Sequence, residues 1–170
     1  KVPSPQVVIR TVMTTALAEI SIDKGHYQSN YEALYTLIDS IVVPHLDSTK
    51  LAKSVLGKYW KELKEYEQVE FIDLFQQTII KTYALYILDY ESTYDIKFRE
   101  TRFNSDGTRA VVEMLVLTER DAVSTSFLLH NNDQYWKIYN FSIDGINLAI
   151  IYKTSYASII QRDGVQGLLQ

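Results

Sequence analysis

Apolar residues recur at three- and four-residue spacing from Gln6 to Asp23, with Val8, Val12, Leu17 and Ile20 flanked by Ile9, Met13 and Ala16. That spacing predicts an amphipathic helix, which Gly25 is expected to stop. Asn30 is placed to cap a second helix carrying Leu34, Leu37, Ile38, Ile41 and Val42, ended or kinked by Pro44. Asp47 or Ser48 can cap a short third helix with Leu51, Ala52, Val55 and Leu56 inward, and Gly57 suits a left-handed C-terminal turn. The strongest helical pattern runs from Glu65 to Tyr90, where Ile72, Phe75, Ile79, Tyr83, Tyr86 and Tyr90 form one stripe. A second stripe, Phe71, Leu74, Ile80, Ala84, Ile87 and Leu88, widens the apolar arc beyond what one flat partner can cover. Glu65, Glu67, Glu70 and Asp73 complement the dipole at the start of this helix and read as a solvated face.

After Tyr90 the period changes to two. Four strands are predicted, over Tyr94 to Phe103, Arg109 to Thr118, Val123 to His130 and Tyr135 to Ile143. Asn104-Ser105-Asp106-Gly107 and Asn131-Asn132-Asp133 supply turn chemistry between them, so an antiparallel meander follows. Asp144-Gly145 closes the sheet and Asn147 can cap a last helix with Leu148, Ile151, Tyr152, Tyr156 and Ile159. Asp163-Gly164 then introduces a short terminal turn. Helices, then sheet, then helix make the fold class α+β.

Composition narrows the function. With 170 residues, 46% of them hydrophobic, and no unbroken apolar run of membrane-spanning length, the chain reads as a single domain over residues 1–170. No cysteine is present, which excludes disulfides, thiolate catalysis and Cys-ligated metals. A net charge of -4 argues against nucleic acid as a partner. The chain begins at Lys1, with Pro3 and Pro5 following, which fits a leader already removed. No glycine-rich phosphate loop, nucleophile elbow or zinc motif occurs. His26, His45 and His130 lack ligand spacing and read as surface or helix-end residues, so no metal and no catalytic residue is assigned. Asp95 and Glu113 are the chief carboxylates within the strands, and alternation lets both face solvent. What remains is an apolar surplus: Val111, Val112, Met114, Leu115, Val116 and Leu117 put apolar groups on both faces of one strand. Either helices cover both faces or one face lines a cavity for an apolar ligand; core and pocket use the same residue types.

Three blocks carry a family resemblance. Leu51-Ala52-Lys53-Ser54-Val55-Leu56-Gly57-Lys58-Tyr59-Trp60 is the first. Glu67-Gln68 with Phe71, Phe75, Lys81-Thr82-Tyr83-Ala84 and Tyr90 is the second. The third is Trp136-Lys137-Ile138-Tyr139-Asn140-Phe141-Ser142-Ile143-Asp144-Gly145-Ile146-Asn147-Leu148, followed by Tyr152-Lys153-Thr154-Ser155-Tyr156, Ile159-Ile160 and Asp163 to Leu169. Together they resemble the MlaC, or toluene-tolerance, family of periplasmic phospholipid-binding proteins, whose own third block reads Trp-x-Val-Tyr-Asp-Val-x-Val-Glu-Gly-Val-Ser-Leu. The Thr-Pro helix start of the family is replaced here around Lys64-Glu65-Tyr66. Asn140 replaces an acid, which puts a polar role at that position in question, and Asn147 replaces the serine.

The resemblance implies N-terminal helices and one long central helix packed on a curved four-stranded antiparallel sheet, with C-terminal helices, enclosing an apolar lipid pocket. It implies a monomeric carrier in the periplasm of a Gram-negative bacterium. Phospholipid is its cargo, and there is no other cofactor. The implied partners are an outer-membrane lipoprotein complex and the MCE-domain subunit of an inner-membrane ABC transporter. On this reading Tyr59, Phe71, Phe75, Ile79 and Tyr83 from helices, with Val112, Met114, Val116, Phe127, Leu129, Trp136 and Ile138 from strands, are the candidate lipid-binding residues. Tyr139, Phe141 and Ile143 fall on the opposite strand parity from Trp136 and are the alternative lining. Arg99 and Arg102 are candidates for the phosphate head group. A carrier of hopanoid or another apolar lipid, an isomerase- or dehydratase-like pocket enzyme using Asp95, Glu113 or His130, and an interaction module without ligand are the competing readings.

Overall fold

A computed structural model of the chain describes residues 3–89 and 95–170; Tyr90 and Tyr94, placed by the pattern on the long helix and at a strand start, lie outside them. The helices are α1 (Pro5–Ile22), α2 (Lys24–Ser29), α3 (Tyr31–Val42), α4 (Ser48–Leu56), α5 (Glu65–Leu88) and α6 (Leu148–Leu168). The strands are β1 (Asp95–Phe98), β2 (Arg102–Phe103), β3 (Arg109–Leu117), β4 (Ala122–Asn132), β5 (Tyr135–Ile143) and β6 (Ile146–Asn147).

The polar caps act where spacing puts them. Asn30 accepts from the Ala33 amide at 3.2 Å, Asp47 from Lys50 at 3.0 Å and Asn147 from Ile150 at 3.2 Å, each satisfying an amide that has no partner within its helix. Gly25 does not end the first helical region. Asp23 closes α1 and accepts from the His26 amide to start α2, with Gly25 inside it. Gly164, at φ 73°, breaks α6 before its last turn, as the Asp163-Gly164 pair anticipates.

Among the described residues six strands form the sheet, rather than the four expected. The first predicted strand is cut at Arg99–Thr101 into β1 and β2, both antiparallel to β3, and β6 adds a short pairing to β5; the order is β1-β3-β4-β5-β6. Between Leu128 and Leu129 the β4–β5 register slips: Leu129 faces Ile138 while Leu128 faces Asn140, so Tyr139 is an extra residue in β5. Such a bulge bends the strand and reverses its side-chain parity.

Among the described residues three clusters of buried side chains hold the fold together. One joins α4, α5 and α6 through Leu51, Val55, Phe71, Phe75, Ile79 and Leu148. A second seats Val8 and Ile9 of α1 on Ala110, Val112, Leu129, Trp136 and Ile138 of the sheet. The third packs Ala16 and Ile20 of α1 and Leu34 and Ile38 of α3 against Ile80, Ala84 and Leu88 of α5. The wide apolar arc of α5 is thus divided between two helical clusters. Glu67 departs from the solvated first turn expected of it. It is buried, accepting from the Lys64 amide at 2.8 Å and from Gln166 Nε2 at 2.9 Å, which ties the start of α5 to the chain terminus.

The junction of β5 and α6 rests on Asn140, whose polar role the structure restores. Its Oδ1 accepts from the amides of Phe141 and Ala149 at 2.9 and 3.3 Å, and its Nδ2 donates to Asn147 Oδ1 at 3.0 Å. In the motif of the resembling family an acid and a serine stand at these two positions, and a serine hydroxyl is able to donate to a carboxylate, which reverses the direction of the bond. Asn140→Asp alone therefore faces oxygen with oxygen, and turning the Asn147 amide round removes the α6 cap. We expect Asn140→Asp to lower the free energy of unfolding by about 1–3 kcal/mol and Asn147→Ser to restore most of it, read from urea unfolding midpoints of the single and double variants.

Candidate functional site

Register assigns the side chains to the two sheet faces. One face carries Ile96 and Phe98 of β1, Phe103 of β2, and Ala110, Val112, Met114 and Val116 of β3. Val123, Thr125, Phe127 and Leu129 of β4 continue it. On β5, Trp136 and Ile138 precede the bulge and Phe141 and Ile143 follow it, yet all four share this face because the extra residue reverses parity between them. Of the alternative lining expected from alternation, Phe141 and Ile143 therefore join this surface, whereas Tyr139 is turned to the other face, its ring 5.5 Å from that of His130. From β1 to β5 it contains no charged residue.

The helices meet this face unevenly. Val8 and Ile9 of α1 cover Val112, Leu129, Trp136 and Ile138, whereas α5 reaches it at Tyr83, whose ring stands edge-on to Phe141 with centroids 5.1 Å apart. Phe141 in turn lies 6.2 Å from Phe127. Burial grades along the face. Val112 and Leu129 are fully buried and Met114 nearly so, while Val116, Val123, Phe127, Phe141, Ile143, Ile96 and Phe98 are half-buried. A hollow of about 110 Å³ opens beside this half-buried end, between Arg10, Met13, Thr14 and Leu17 of α1 and Ile96 and Phe98 of β1.

The helix candidates gather elsewhere. Phe71 and Phe75 stack at 5.6 Å, and Tyr152 and Tyr156 of α6 meet them edge-on at 5.3 to 6.0 Å, with Tyr59 and Ile79 packed against the same cluster. A groove of about 220 Å³ runs beside them, lined by Leu74, Thr78, Lys81 and Leu168 among others. The sequence candidates are therefore in two bodies, the helical one of Tyr59, Phe71, Phe75 and Ile79 and the sheet face of Val112, Met114, Val116, Phe127, Leu129, Trp136 and Ile138. Tyr83 joins them through Phe141. Each of these two hollows is smaller than the roughly 300–1,000 Å³ of ordinary ligand pockets.

Burial pushes the Tyr83 hydroxyl up, with Tyr152 and Tyr86 adding to it. Burial, then Tyr152, raises Tyr156 to about 12. A phenol whose pKa is raised on folding stabilises the fold below its ordinary value, and that contribution is lost as pH rises. Alkaline stability is thus expected to fall between pH 10 and about 12, and Tyr156→Phe to remove that part of the fall, read by denaturant unfolding across this range.

The polar candidates lie away from the apolar face. Glu113 pairs with Arg99 at 2.7 Å, and Arg102 stands opposite Val111, on the other face. His130 Nε2 meets Asp47 Oδ2 at 2.7 Å and is neither exposed nor at a helix end; Asp95 faces Leu117 on the same outer side. The acid–base candidates of the enzyme reading are absent from the uncharged face. Among the described residues no group of three or more His, Asp or Glu could hold a metal ion, and no helix is long and apolar enough to cross a membrane.

Sequence reasoning missed Met13, Leu17, Ile96 and Phe98. The first pair reads as ordinary amphipathic spacing, and the second as ordinary alternation within the first predicted strand.

Comparisons with known proteins agree on one family. Residues 10–170 match the family model described as MlaC protein. The toluene tolerance protein ttg2D of Pseudomonas putida is 27% identical over 163 residues, 95% of this chain and 75% of that protein. The intermembrane phospholipid transport system binding protein MlaC of Haemophilus influenzae is 18% identical over 171 residues, 98% of this chain and 79% of that protein. A solved structure of the phospholipid-binding protein from Ralstonia solanacearum in complex with a phospholipid superposes with a TM-score of 0.89 at 26% identity, covering 99% of this chain and 94% of that one.

Proposed function

The chain belongs to the MlaC protein family, and from that premise we propose that it is a periplasmic carrier that binds one phospholipid by its acyl chains and moves it between the outer and inner membranes. It thereby maintains outer-membrane lipid asymmetry. The observation that carries this reading is the uncharged sheet face, which runs from fully buried at Val112 to half-buried at Phe127, Phe141 and Ile143 beside α1 and α5. The phospholipid held by the structural relative from Ralstonia solanacearum supports it.

The physics of the task fits this surface. A methylene removed from water is worth about 0.8 kcal/mol, so a 16-carbon chain in water costs roughly 12 kcal/mol. A carrier removes that barrier when its interior resembles the bilayer closely enough that loading and unloading are nearly isoenergetic. Direction then comes from its partners. The acyl chains enter at the seam where Tyr83 meets Phe141, parting the helical body from the sheet, and Val116, Phe127, Phe141 and Ile143 line their path. Tyr83 and the Phe71, Phe75, Ile79 cluster flank it, with Tyr59 behind them. Of the cations, Arg10 borders the apolar face, its guanidinium 4.3 Å from the Phe98 ring centre, and we assign the phosphate to it in preference to Arg99 and Arg102. The partners are the MCE-domain subunit of an ABC transporter and an outer-membrane lipoprotein complex, met by a monomer. Labelled phospholipid should pass from donor to acceptor vesicles at a rate that rises in proportion to added protein. Transfer no faster than the spontaneous rate contradicts a carrier.

A further inference from the structure

The opposite face of the sheet has a composition that the carrier reading does not use. Arg109, His130 and Lys137 are directly paired across β3, β4 and β5, and Arg102 of β2 lies on the same side opposite Val111. Among the described residues only His130 of these has a carboxylate partner, Asp47. The Tyr139 ring lies 5.9 Å from the Arg109 guanidinium and 5.0 Å from the ammonium of Lys50, a weak substitute for an anion. Arg102, Arg109, Lys50 and Lys137 form no ion pair among the described residues. Val111 and Leu128 sit between these cations, half-buried, and belong to none of the three buried clusters. The face also carries Asp95 and Glu113, the latter held by Arg99.

We propose that this outer sheet face is the docking surface for a protein partner presenting a carboxylate-rich patch; the inference rests on the carrier reading and names where the transporter's MCE-domain subunit is met. Arginine around a partly apolar floor is the make-up of a protein interface. The net charge of -4 separates a protein from a lipid partner. An anionic bilayer is an extended plane that meets the acidic remainder of the molecule as well. A finite acidic partner interacts with charges within about 8 Å, the screening length at physiological salt, and so senses this face, where Arg102, Arg109, Lys50 and Lys137 outnumber Asp95 and Glu113.

The test uses the intact transporter complex in nanodiscs of zwitterionic lipid, empty nanodiscs of the same lipid, and vesicles containing phosphatidylglycerol. Arg102→Glu and Arg109→Glu, both at exposed positions, are made singly and together. The wild-type chain is expected to bind transporter nanodiscs with an affinity that falls as salt rises. The double variant should bind at least tenfold more weakly, with its unfolding midpoint and lipid content unchanged. Equal affinity of the double variant, no binding by the wild type, or a loss confined to the anionic vesicles each overturns the proposal. Native mass spectrometry of the same samples separates the two failures: a chain that carries lipid but does not dock here refutes the surface alone, and a chain without lipid refutes the carrier.

Discussion

Phe75→Ala is expected to lower the free energy of unfolding by about 3–5 kcal/mol, read from urea denaturation. Phe75 is 2% exposed, stacked on Phe71 and bounded by the edges of Tyr152 and Tyr156, so α4, α5 and α6 all lose contact with the space it leaves. The whole fold is worth only about 5–15 kcal/mol in a typical domain, so this one truncation removes a large share. A side chain that only lined an open, solvent-filled pocket would cost far less, and a loss under about 1 kcal/mol would place Phe75 in such a pocket instead. Phe75→Arg or Met114→Arg is correspondingly a poor probe of lipid binding, because each sets an unpaired charge at a position only 2% or 4% exposed and threatens the fold itself.

Phe127→Arg is the complementary experiment. Phe127 is half-buried, so an arginine there can carry its guanidinium to water along its own stem and leave the sheet intact. It still brings charge and bulk into the path assigned to the acyl chains. Displacing two methylenes into water costs about 1.6 kcal/mol, which is more than tenfold in affinity. The expected result is a folded protein with an unchanged circular dichroism spectrum and at least a tenfold lower fraction of lipid-loaded molecules. Full loading in a folded Phe127→Arg variant would take the half-buried end of the sheet out of the binding path.

How far the sequence reaches is visible in particular residues. Asn30, Asp47 and Asn147 cap their helices because a cap is a local relation over three residues, readable from spacing. The MlaC resemblance is likewise carried by local blocks, and the family model confirms it over residues 10–170. Relations between distant residues were not legible. Glu67 is buried because Gln166, 99 positions later, donates to it, and His130 is withdrawn from solvent by Asp47, 83 positions earlier. That α1 rather than α5 lies over Val112 and Trp136 is a choice between two amphipathic helices that periodicity cannot make. The bulge is the instructive case. Trp136 and Ile138 have one parity, Phe141 and Ile143 the other, and Tyr139-Asn140 stands between them; the parity change was itself the sign of an inserted residue.

The uncharged face formed by that parity change is the heart of the account, and its ligand can be weighed directly. Native mass spectrometry of the purified protein, followed by solvent extraction and lipid analysis, is predicted to show one diacyl phospholipid per chain. A homogeneous lipid-free protein that also takes up no phospholipid from vesicles would contradict the carrier and leave the face a structural core.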